Sequence, residues 1–145
     1  LEVAGGADEM ETLAVVRHPI DWLSSWYRYR YRDELVGHPN STREISFDNF
    51  VLEFTKPDPA PFAAVGAQSK FILRRNDQKI GVTHLFSYER QSSLIAFLEQ
   101  RLETKINMNR VNVSPAMKTP LSREVEAEFR TKCAIEVAIW DKART

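Results

Sequence analysis

The chain predicts an α/β fold, richer in helix than in strand, with two or three short parallel strands each followed by a helix. Three observations lead there. A run of four apolar residues passes straight into a helix start at 13–19, and a second strand-turn-helix unit occupies 80–102. Apolar residues at helical spacing fill the stretches between and after these units. The length of 145 residues suits a single domain spanning 1–145, and a 43% hydrophobic content is ordinary for a chain that buries a core. Lysine plus arginine total 20, as do aspartate plus glutamate, so no global field draws the chain to nucleic acid or an anionic membrane. Any anion site must therefore be local.

Residues 1–11, with Gly5-Gly6 and several acidic side chains, read as a flexible lead-in. Leu13, Ala14, Val15 and Val16 suit a short strand buried on both faces, with Arg17 as its last residue. His18 stands where a helix cap belongs, Pro19 has the fixed φ favoured at the first helical position, and Asp21 places a carboxylate in the positive first turn. Ligands of open parallel sheets bind beyond the carboxyl ends of the strands, beside helix N-termini, so Arg17 is expected to point into that crevice. With the helix starting near Pro19, positions 18, 22 and 25 share a face, which brings Ser25 to the same pocket. A guanidinium at a strand end and a hydroxyl eight residues later make a clamp for a phosphate monoester. The ordinary alternative is a solvated or ion-paired arginine.

No turn signal separates this helix from the run Tyr27-Arg28-Tyr29-Arg30-Tyr31-Arg32, so the helix is predicted to continue to about Asp33. The alternation also fits an amphipathic strand, or a nucleic-acid surface with stacking rings. On a helix, Arg28 and Arg32 share one face and Tyr27 and Tyr31 another, leaving a solvated basic face or a contact to an anionic acceptor at the pocket mouth. A loop follows at 37–41 with an exposed His38. Ser46 then caps a helix that buries Phe47, Phe50, Val51 and Phe54. Three prolines within 57–61 break the chain, and 62–73 predicts another helix, with Gln68 in reach of a substrate.

After a polar turn at 74–77, the β-branched and aromatic stretch 80–89 predicts the second strand, with His84 as a satisfied sheet histidine. A helix from about Gln91 presents Leu94, Ile95, Phe97, Leu98 and Leu102. Residues 107–120 are a polar, proline-containing loop. Ser122 caps a final helical region whose Phe129, Cys133, Ile135, Val137, Ile139 and Trp140 close onto the body. The single cysteine, Cys133, allows no intrachain disulfide. With no apolar run long enough for a bilayer and no signal-peptide pattern, a cytoplasmic location is expected. No Cys/His grouping has metal-ligand spacing, so no metal is expected, and no serine-histidine-carboxylate triad can be assembled from sequence.

Two stretches resemble a known family. Arg17-x-Pro19, five further residues, then Ser25-x-Tyr27 is similar to the 3′-phosphate-binding element of sulfotransferases that use 3′-phosphoadenosine 5′-phosphosulfate (PAPS). A strand ending in Tyr88-Glu89, followed by Leu94-Ile95-Ala96-Phe97-Leu98, is similar to that family's Tyr-Glu-Asp-Leu and Phe-Leu segment, with Arg90 in place of the usual aspartate. The resemblance implies part of a P-loop NTPase-like sulfotransferase fold. It assigns Arg17 and Ser25 to the donor's 3′-phosphate and Tyr88 to its adenosine, and makes Arg110 and Lys118 candidates from a basic loop that returns over that phosphate.

The chain departs from the family in lacking a Gly-rich loop with Lys-Ser/Thr, and the usual catalytic base, ahead of Leu13. The resemblance thus covers the later part of a complete sulfotransferase, a fragment is expected, and no catalytic residue is assigned. The implied activity passes a sulfuryl group from PAPS to a hydroxyl or amine of a small-molecule, sugar or peptide acceptor, with catalysis by positioning and cationic stabilisation. An exposed sheet edge would be covered by another chain or by swapped elements. The alternative is a non-enzymatic helical interaction module, or a degenerate homologue, that binds protein or nucleic acid through the Trp-Tyr-Arg helix.

Overall fold

A computed structural model describes residues 10–144. Strands β1 (Leu13–Val16) and β2 (His84–Ser87) pair in parallel, Leu13 opposite His84 and Val16 opposite Ser87, and they form the whole sheet among the described residues. Around it lie helices α1 (Pro19–Arg30), α2 (Phe47–Phe54), α3 (Ser69–Ile72), α4 (Gln91–Leu102), α5 (Arg123–Lys132) and α6 (Ala134–Arg144). The molecule is a helix-rich α/β arrangement with two short parallel strands. None of the described helices is long and apolar enough to cross a membrane.

The start of α1 follows its local signals. The His18 imidazole accepts the Ile20 N–H at 3.2 Å, Pro19 takes the first helical position and Asp21 faces the positive end. Its end comes earlier than predicted. Thr42 Oγ donates to the Tyr27 carbonyl at 2.7 Å, the Thr42 N–H to the Arg30 carbonyl at 3.2 Å and Arg43 Nε to the Tyr31 carbonyl at 2.9 Å. The returning chain thus satisfies the carbonyls that a further helical turn would have needed. A 3₁₀ turn at Asp33–Leu35 follows instead.

Two apolar clusters hold the elements. The larger buries Leu23 and Tyr27 of α1, Phe47, Phe50 and Val51 of α2, and Val125 and Phe129 of α5. The smaller joins Val16 of β1, Ile72 of α3 and Ile139 of α6. As their sequences predict, Ser46 accepts the Asn49 N–H at 3.1 Å and Ser122 the Val125 N–H at 3.3 Å, capping α2 and α5.

Several predicted elements are corrected. Residues 62–73 form no continuous helix: a 3₁₀ turn at Pro61–Ala63 and the single turn of α3 are separated by Gly66 at φ +75°, a left-handed conformation that glycine adopts without steric cost. The strand over 80–89 shortens to β2, because Ile80 instead makes an antiparallel bridge back to Leu73, and Tyr88–Arg90 turns into a 3₁₀ helix. On α4, Leu94 is buried but Leu102 is 62% exposed, since the helix stops there with Glu103 at φ +51°. The final helical region breaks at Cys133 into α5 and α6, and Ile135 turns outward at 49% exposure. Burial pushes the Cys133 thiol up to about 11, as suits a packing residue.

The lead-in read over 1–11 lies outside the described residues up to residue 9. At Glu11 the chain is tied down, its carboxylate accepting from Arg101 Nη1 at 2.6 Å and lying 3.2 Å from His84 Nε2. His84 is thereby satisfied at the sheet, as expected.

Candidate anion-binding site

β1 stops at Val16, so Arg17 is the first residue past the strand, and the Val16–Ser87 register sets Tyr88 beside it, the first residue past β2. Their side chains meet: the Arg17 guanidinium carbon lies 4.7 Å from the Tyr88 ring centroid. The Arg17 backbone is clamped by one side-chain amide. Its N–H donates to Gln68 Oε1 and its carbonyl accepts from Gln68 Nε2, both at 2.9 Å. Gln68, whose position in the sequence allows reach to a substrate, is spent on this clamp. Among the described residues the Arg17 guanidinium has no hydrogen bond or ion pair, so its five donors are unspent beside the Tyr88 ring.

Ser25 stands on the second turn of α1. Ser114 donates its hydroxyl proton to the Ser25 carbonyl at 2.8 Å, and the two hydroxyl oxygens lie 3.0 Å apart, so the Ser25 proton points to Ser114 Oγ. This contact is one of three that lay the loop 107–120 along α1. The others are Ser24 Oγ with Thr119 Oγ1 at 2.7 Å, and Arg28 Nη1 donating to the Pro115 carbonyl at 2.9 Å.

Between strand ends, helix and loop lies a cavity of about 510 Å³, lined by Arg17, Ser25, Arg28, Tyr88, Gln91 and loop residues 108–114 and 116. Three arginines, Arg17, Arg28 and Arg110, are among its lining residues, and no acidic residue is. Of the five residues singled out from the sequence, Arg17, Ser25, Tyr88 and Arg110 share this wall. Lys118 lies elsewhere, in a cleft with Tyr27, Phe47, Asp48 and Ser122. Sequence reasoning missed Gln91 and Asn112; the latter holds a left-handed φ of +52° in the loop, a conformation asparagine tolerates better than most residues.

The Tyr-Arg alternation is not the solvated basic face expected of it. Arg28 donates to Pro115, Arg30 to the carbonyls of Pro61 and Phe62 at 2.7 and 3.1 Å, and Arg32 to Tyr29 at 2.8 Å. Backbone carbonyls of the 3₁₀ turn at Pro61–Ala63, of the loop at Pro115 and of the last turn of α1 at Tyr29 thus take these cations. Tyr27, the last residue of the Arg-x-Pro motif, donates its hydroxyl to the Ile45 carbonyl at 2.6 Å, and burial pushes its pKa up. It serves packing.

A cavity lined by three arginines, serines and a tyrosine suits a multiply charged oxyanion joined to a planar or ring-bearing body. Set against family models, curated proteins and solved structures, the chain matches none.

Proposed function

We propose that this chain binds the 3′-phosphate of PAPS and supplies that half of a sulfuryl-transfer site, within a P-loop NTPase-like sulfotransferase fold. The observation that carries the reading is the convergence of Arg17 and Ser25 on one carboxylate-free cavity, with the Arg17 head free of polar partners. A terminal phosphate accepts two parallel N–H bonds from a guanidinium, and Arg17 has donors to give. Ser25 reaches the same group once its hydroxyl turns away from Ser114. Arg28 and Arg110 add positive charge to the wall, and the Tyr88 face turned away from Arg17 is left for the adenosine. PAPS itself supplies the sulfuryl group; the residues here hold and orient it for a hydroxyl or amine acceptor, a small molecule, sugar or peptide.

The competing reading, protein or nucleic acid bound through the Trp-Tyr-Arg helix, draws less support. Arg28, Arg30 and Arg32 spend donors on backbone carbonyls that phosphates would otherwise take.

Calorimetric titration with adenosine 3′,5′-bisphosphate tests the assignment. Arg17→Ala is expected to weaken binding by about 1.5–3 kcal/mol, the scale of a hydrogen bond to a charged group. An unchanged dissociation constant overturns the reading. Nucleic-acid binding, in contrast, would fall steeply with salt and ignore the bisphosphate.

A further inference from the structure

Glu89 follows Tyr88 yet takes no part in the cavity wall. Its carboxylate gathers donors from three separate elements. Oε1 accepts the His18 N–H at 2.7 Å, while Oε2 accepts the Ser87 hydroxyl at 2.7 Å and the Trp140 indole N–H at 3.0 Å. His18 follows Arg17 and caps α1, Ser87 precedes Tyr88 and closes β2, and Trp140 belongs to α6. The His18 and Trp140 rings also meet edge to face, with centroids 4.6 Å apart.

Each of the two stacked cavity residues is thus one position away from a bond to the same carboxylate. We propose that Glu89 is the positioning residue of the anion site: it fixes the ends of both strands so that Arg17 and Tyr88 stack in the arrangement that receives the phosphate, without itself touching the ligand. This rests on the anion-site reading given above.

The donor pattern explains why the residue is an acid. Both oxygens are in use, and all three partners are donors. A glutamine keeps the shape but offers one oxygen and an NH₂ group, so at least one partner would face a donor. An ionised carboxylate is acceptor-only and satisfies all three. Partial burial pushes the Glu89 carboxyl up, but the hydrogen bonds from the His18 amide, Trp140 and Ser87 outweigh it, and the net direction is down. Because those bonds occupy the anion, it does not compete with a ligand for Arg17.

The test joins a double-mutant cycle to a ligand-independent signal. Adenosine 3′,5′-bisphosphate is titrated into wild type, Glu89→Gln, Arg17→Ala and the double variant, and the Arg17 δ-methylene protons, expected upfield beside the Tyr88 ring, are followed by NMR in each folded protein that keeps Arg17. Glu89→Gln is expected to weaken binding about tenfold and to cost nothing further once Arg17 is gone, the non-additivity of coupled neighbours. Its Arg17 signal moves toward the random-coil position. Val125→Ala, which loosens the larger cluster away from the site, keeps both the affinity and the shifted signal. Should Glu89→Gln not fold, Trp140→Phe removes one of the three bonds and is expected to give a smaller loss in the same direction. Additive losses in the cycle, or an unmoved Arg17 signal in Glu89→Gln or Trp140→Phe, overturn the proposal. If wild type binds no bisphosphate while the Arg17 signal still collapses in Glu89→Gln, the positioning role stands and the nucleotide reading falls.

Discussion

Arg17 is gripped by its backbone and left free at its head. The Gln68 amide behaves like a strand partner for one residue, exchanging two hydrogen bonds with Arg17 just where β1 has ended. Gln68→Leu keeps the bulk and removes both bonds, leaving an N–H and a carbonyl in a half-buried position without partners. That change is expected to lower stability by about 1–3 kcal/mol, measured by urea unfolding. It should also weaken bisphosphate binding, because the freed backbone no longer presents the guanidinium in one orientation. Wild-type stability together with wild-type affinity would contradict the clamp.

At the scale of elements, α1 and the loop 107–120 form the two sides of the site, and three side-chain contacts from Ser24, Ser25 and Arg28 hold them together. Ser114→Ala removes the middle one. Hydrogen exchange is expected to quicken at amides of 108–116 while those of α2 remain protected, since the loop has no ladder of its own to fall back on. Unaltered exchange in that stretch would show that Ser114 holds nothing.

The β1–α1 unit was legible because its signals are local: an apolar run, a capping histidine, proline and aspartate in adjacent positions. The end of α1 was not, because the groups that stop it, Thr42 and Arg43, return from more than ten residues away. The helix read over 62–73 failed for the same kind of reason: Gly66 turns left-handed and Gln68 is drawn to a partner 51 residues distant. Helical spacing set Arg17 and Ser25 at one pocket, while Tyr88 came into view only through the family resemblance. Lys118 went astray because its place depends on the path of a loop, and the adjoining Thr119 is tied to Ser24, which carries Lys118 toward α2.

For the whole molecule, α1 links the two apolar clusters, giving Leu23 and Tyr27 to the larger while its N-terminus abuts β1, whose Val16 belongs to the smaller. The site thus sits where two packed units meet. Three carboxylates are held by hydrogen bonds, Glu11 and Glu89 across distant segments and Glu53 within its own. Glu11 is held down chiefly by His84, with Arg101 adding to it; Glu53 is held down chiefly by Lys56 and the Ala60 amide; and Glu89 is lowered against the pull of its own partial burial. A carboxyl whose folded pKa lies below its unfolded value adds stability above the unfolded pKa and loses it as pH falls through the folded one. Each lies below the ordinary glutamate value of 4.5, so the urea midpoint is expected to hold above that pH and to decline as acid is added below it. A midpoint that rose on acidification would contradict these assignments.

The most direct measurement compares adenosine 3′,5′-bisphosphate with adenosine 5′-monophosphate by calorimetry on the same protein, wild type and Arg17→Ala side by side. The extra 3′-phosphate is expected to tighten binding by about tenfold or more in wild type. That preference should vanish when Arg17 is removed. Equal affinities for the two nucleotides in wild type, or a preference that survives in Arg17→Ala, would contradict the account.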